Sequence, residues 1–139
     1  MMLCNRSDDE QLAIKVHGGY NLAEGCSGQS FIDVLSAYLI GVQKYQYFSC
    51  NQVWIGGDGN WHDEYYKDLG EPKQKFPIKM NNTYYRSFAS GTSVTFDTVN
   101  NTGKIYWADE NDKEFLDNLE YLYINEWKSY HKNWTAGTQ

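Results

Sequence analysis

The chain has 139 residues, 41% of them hydrophobic, which fits one domain with a core of its own and argues against intrinsic disorder. Its formal net charge of -6 argues against nucleic acid or an anionic membrane surface as partner, since both call for a basic face. No run approaches the ~18 apolar residues of a membrane span.

Aromatic residues make up 17% of the chain, with 12 Tyr and 5 Trp. Flat apolar rings with a polar edge suit stacking on sugars. They suit a Tyr-rich β core equally well, and composition leaves both open.

The chain starts "MMLCNRSDDE", without an apolar signal segment. Asn5, Asn81, Asn100 and Asn133 nevertheless each head an N-x-S/T sequon, and Cys4, Cys26 and Cys50 are present. Both features are marks of a secreted, extracellular glycoprotein, although an Asn-rich chain also produces sequons by chance. Secretory marks without an export signal predict a piece of a longer chain.

"QLAIKVHGGY" predicts a strand over Leu12–Val16, stopped by Gly18 and Gly19. In "CSGQSFIDVLSAYLIGVQKY", Phe31, Val34, Leu35, Tyr38, Leu39 and Val42 fall at helical spacing. They predict a helix over Ser30–Gln43, with Ser27 or Ser30 as cap. "YQYFSCNQVWI" predicts a second strand from Tyr45 to Cys50. Strand, helix, strand at this spacing is a β-α-β unit with parallel pairing.

The lengths match. Fourteen helical residues run about 21 Å away from the first strand, and the second strand returns about 20 Å. His17, Cys26, Cys50, Trp54 and the loop "WIGGDGNWHDEYY" are therefore expected at the carboxyl ends of parallel strands, where α/β folds bind ligands. The same arithmetic makes Cys26 and Cys50 neighbours, either as a disulfide or as two buried thiols, with Cys4 left over.

Beyond the loop, "LGEPKQKFPIKMNN" holds both prolines and reads as a wandering connection. Runs at Tyr84–Phe88, Ser93–Thr98 and Lys104–Trp107 are separated by turn signals at Ser90-Gly91 and Asn100–Gly103, which predicts an antiparallel meander. "NDKEFLDNLEYLYINEWKSYHKNW" predicts a C-terminal helix. Asn111 and Glu114 form its cap signature, and Phe115, Leu119, Leu122, Trp127 and Tyr130 approximate its apolar face. "YLYI" also fits a strand. The expected fold is thus α/β to α+β: a β-α-β unit over 1–66, a connection and meander over 67–108, and a helix over 109–139, packed as one unit.

Several chemistries fail on inspection. Counted as an EF-hand from Asp58, the twelfth position is Leu69 where Glu is needed, and the sixth is Asp63 where Gly is needed. No C-x-x-C pair exists and the histidines are scattered, so no metal or cofactor is expected. Neither a P-loop nor a G-x-S-x-G elbow is present.

Paired carboxylates suit glycoside hydrolysis, and Glu24, Asp58, Asp63 and Glu64 can approach the loop face. Acids beside glycines are also ordinary turn formers. His17, closing its strand, either touches a ligand or is a hydrogen-bonded strand-end residue.

"FIDVLSAYLIGVQKYQYFSC", the Trp-bearing loop, "YYKDLGEP" and "YYRSFASGTSVTFD" together resemble the closing part of glycoside-hydrolase-like TIM-barrel proteins. The most specific phrase has the form Y-x-R-x-F-x-x-G-x-x-V, carried here by Tyr84, Arg86, Phe88, Gly91 and Val94. The likeness spans roughly residues 12 to 107. It implies a partial TIM barrel of two β/α units out of eight, in a carbohydrate-active protein with its catalytic pair absent or incomplete. It carries over no catalytic residue.

On this reading His17, Trp54, Asp58, Trp61 and Tyr65 bind a polysaccharide or oligosaccharide. The remainder of a longer chain is then a partner, while nucleic acid and membrane are not. The competing readings are a stand-alone carbohydrate-binding or interaction module, and a fold whose aromatics are core and whose loop is only a turn.

Overall fold

The computed structural model describes residues 12–17, 26–43, 46–51 and 62–130. Strand β1 (Leu12–His17) pairs in parallel with β2 (Gln46–Asn51), and helix α1 (Gly28–Gly41) connects them. The matched-length argument therefore holds: the register sets Ile14 opposite Phe48, Val16 opposite Cys50 and His17 opposite Asn51.

A single 3-10 turn (Asp63–Tyr66) follows. Next come β3 (Ile78–Met80), β4 (Thr83–Ser87), β5 (Ser93–Asp97) and β6 (Thr102–Tyr106), an antiparallel sheet in chain order. Helix α2 (Lys113–Tyr130) completes the described elements, so "YLYI" is helical. The fold is mixed helix and sheet, with a four-stranded antiparallel sheet and a C-terminal helix.

Helix α1 buries Phe31, Leu35 and Leu39 along one row and Ser36 and Ile40 along the next, the i, i+4 spacing that gives a helix one apolar side. It lies between the parallel pair and the sheet and packs on β4, β5 and β6. Alternation along the strands divides the sheet's two faces. Phe88, Val94 and Trp107 join the α1 core together with Cys26, Phe31, Leu35, Leu39, Ile40 and Cys50. From the other face, the Tyr85 ring stacks on Tyr123 of α2 at 4.4 Å, and the Ser87 hydroxyl donates to Glu120 at 2.8 Å.

Helix α1 starts and ends two residues before the expected Ser30–Gln43. Ser27 occupies the N-cap position but makes no side-chain capping bond. The C-terminal turn carries no basic residue of its own. Its open carbonyls are met by Arg86 of β4, whose Nη1 lies 3.1 Å from the Ile40 oxygen and 2.5 Å from that of Val42. The same guanidinium donates to Gln74 and Lys75 carbonyls, and it is 1% exposed. A buried cation here is held by backbone dipoles instead of a carboxylate.

Edge strand β6 gains a second tie to α1. Asp33 accepts from the Gly103 N–H at 2.8 Å, and Gln29 donates to the Gly103 carbonyl at 3.1 Å. Two helix side chains thereby meet backbone groups that no described strand pairs on that side. This close approach requires glycine, because a Cβ at position 103 would overlap Cβ and Oγ of Ser36.

Three expectations need correction. The "wandering" connection contains β3, plus a bridge from Pro72 to Phe88; a three-residue edge strand is too short to show a period. Asn111 is not the cap of α2: its side chain donates to the Trp107 carbonyl, and the helix starts at Lys113. The buried face of α2 centres on Leu116, whereas Phe115, Leu122 and Trp127 are exposed. The missed face follows from what the sheet offers, a Tyr and Ser surface that takes Tyr123 and Glu120.

Candidate functional site

Three chain segments meet at the carboxyl end of the parallel pair. A disulfide between Cys26 and Cys50 joins the entry of α1 to the end of β2, with Cα atoms 5.6 Å apart. Both cysteines are fully buried. The 3-10 turn is clamped over the same point. The His62 ring stacks on Phe31 at 3.5 Å, and Tyr65 meets Phe31 and Phe48 edge-on. The Tyr65 hydroxyl accepts from the Cys50 N–H at 3.1 Å. Burial raises the Tyr65 pKa, partly offset by this bond.

Beside this junction lies an open groove of about 600 Å³. Its walls include Gln29 from the first turn of α1, Asp63 and Glu64 from the 3-10 turn, and Tyr106 and Trp107 at the end of β6. Lys67 and Glu110 close one end. The Lys67 ammonium bonds Asp109 at 2.6 Å and Glu110 at 2.7 Å and lies 5.6 Å from the centre of the Trp107 ring. Those bonds raise the Lys67 pKa and lower that of Asp109. The result is an amide, carboxylates and an ammonium around a partly apolar floor, a mix that can hydrogen-bond a ligand rich in hydroxyls.

Of the five residues expected to bind a sugar, the structure locates two. The backbone of His17 ends β1 opposite Asn51, at the junction. Tyr65 is also there, but its ring and hydroxyl brace the turn. Trp54, Asp58 and Trp61 lie outside the described residues, as do Cys4, Glu24 and most of the glycine loop.

Asp63 and Glu64 were legible as acids near the loop. Gln29, Lys67 and Glu110 carried no signal, since Gln29 reaches the groove through packing of α1 against β6 and Lys67 meets Glu110 only through a long-range ion pair. Among the described residues no three His, Cys, Asp or Glu side chains converge as a metal would need. No described helix is long and apolar enough to cross a membrane.

No protein-family model matches the chain, and neither does any curated protein.

Proposed function

We propose that the chain is a carbohydrate-active protein, the closing part of a glycoside-hydrolase-like barrel, in which the groove beside the 3-10 turn holds a neutral oligosaccharide. One observation carries this reading. The groove lies between the first turn of α1, the 3-10 turn and β6, and presents Asp63 and Glu64 beside the Gln29 amide. Carboxylates bond vicinal hydroxyls, and a net charge of -6 disfavours acidic sugars. His17, Trp54, Asp58 and Trp61 would extend the same subsite, with Tyr65 bracing the turn that carries Asp63 and Glu64.

A binding role without chemistry is the second reading, and the arrangement of the acids favours it. Glu110 is taken by Lys67, which leaves Asp63 and Glu64 adjacent on one short turn. Glycoside hydrolysis places its two carboxylates on opposite sides of a scissile bond, about 5 to 9.5 Å apart.

The test is a panel of neutral polysaccharides, with binding followed by calorimetry and cleavage by release of reducing ends. Binding is expected, weakened about tenfold or more in Asp63→Asn or Glu64→Gln, the effect of losing one charged hydrogen bond. Released ends point to hydrolysis, and binding alone points to the module. No binding to any glycan, or affinity untouched by both substitutions, refutes the proposal.

A further inference from the structure

Two sequons lie at the tips of neighbouring hairpins. Asn81 starts the β3–β4 turn and Asn100 lies within the β5–β6 turn, and Asn81, Asn82, Asn100 and Asn101 are all exposed. The register brings the two tips to one end of the sheet, because Thr83 pairs with Asp97 and Asp97 with Thr102. Thr98 joins them directly, its N–H and hydroxyl both donating to the Asn82 carbonyl at 2.9 and 3.0 Å. Thr83 and Thr102, the sequon hydroxyl residues, each begin a strand.

The second observation is the Cys26–Cys50 disulfide. Such bonds form and persist in oxidising compartments. In the eukaryotic secretory pathway, that is also where sequons meet an oligosaccharyl transferase. We infer that Asn81 and Asn100 are both N-glycosylated, so that one end of the antiparallel sheet carries paired glycans. The inference is independent of the proposed sugar groove.

In the transfer step the Asn side-chain nitrogen bonds to the anomeric carbon of a lipid-diphosphate-linked oligosaccharide. The bond from that carbon to the diphosphate oxygen breaks, the lipid diphosphate leaves, and one amide proton passes to the transferase base. No oxidant or reductant is involved.

The folded turns accept the products. Asn81 sits at φ 51 with its side chain exposed at the tip. Asn100 donates from Nδ2 to Asp97 at 2.9 Å, and a glycosylated amide keeps one N–H for that bond.

The experiment is secretion of the full chain, behind a signal peptide, from a eukaryotic cell line. Enzymatic deglycosylation in heavy-oxygen water follows, and converts each occupied Asn to a labelled Asp read by peptide mass spectrometry. Label is expected at both positions. Asn81→Gly, which suits a positive φ, removes the first label and leaves the second. Thr102→Ala removes the second label while keeping Asn100 and its bond to Asp97. Where a variant stays inside the cell, the detergent-extracted pool is mapped instead. Absence of label at either Asn81 or Asn100 in the unsubstituted chain overturns the inference.

Discussion

Arg86 caps a helix to which it does not belong: its Nη1 lies 2.5 Å from the carbonyl oxygen of Val42, just past the end of α1. One guanidinium serves Leu39, Ile40 and Val42 on one side and Gln74 and Lys75 on the other. Arg86→Met removes the charge and leaves several buried carbonyls without donors, at about 1–3 kcal/mol for an orphaned group. We expect a loss of about 3 kcal/mol, read as a lower urea midpoint by Trp fluorescence. Arg86→Lys keeps the charge but loses the planar fork, and should recover only part of this. An unchanged midpoint in Arg86→Met would show that the bonds contribute nothing net.

The Cys26–Cys50 bridge closes a stretch of 24 residues. By the chain-entropy relation a loop of that size stabilises the fold by about 3 kcal/mol. The Cys26→Ser/Cys50→Ser pair is expected to lose about that much. Because both cysteines are fully buried, dithiothreitol should reduce the native protein slowly and the urea-unfolded protein quickly. Equal reduction rates in the two states contradict this.

Gly103 touches Ser36 so closely that Gly103→Ala should cost about 2–3 kcal/mol through overpacking. Ser36→Gly opens the space, though it carries its own penalty of about 0.5 kcal/mol inside a helix. The double variant is therefore expected to be more stable than the sum of the two single losses predicts. A thermodynamic cycle built from the four urea midpoints measures this coupling, and strict additivity would rule out the contact.

Burial pushes the Tyr38 phenol up to about 12, against an ordinary value of 10.0. The folded state then holds the phenolic proton more tightly than the unfolded chain. The contribution is full below about pH 10 and is lost as pH climbs toward 12. Between pH 10.5 and 11.5 this should remove about 1 kcal/mol. Tyr38→Phe should show a shallower alkaline decline in unfolding free energy than the unsubstituted protein. Identical slopes would mean that Tyr38 ionises alike in both states.

The sequence determined the local elements. Helical spacing in "FIDVLSAYLI" and β-branched and aromatic runs around Tyr84, Val94 and Ile105 are one-dimensional signals, and each element formed within a few residues of its expected place. Length matching alone also brought Cys26 beside Cys50, because rise per residue is fixed by backbone geometry. Whether those thiols were joined was not legible, since a bridge and a buried pair of thiols need the same proximity.

Tertiary structure alone decided which faces meet. Phe115 and Leu122 look like the apolar side of α2, yet Leu116 is buried, because the sheet presents Tyr85 and Ser87 and these select Tyr123 and Glu120 as partners. Arg86 reads as one polar position in a strand until α1 ends beside it. The groove is the same kind of fact: Gln29, the Glu64–Lys67 turn and Glu110 are far apart along the chain, and they share a wall because β6 lies against α1 at Gly103 and Lys67 pairs with Glu110. Periodicity records how a segment folds on itself, whereas a site between segments depends on contacts that no local pattern encodes.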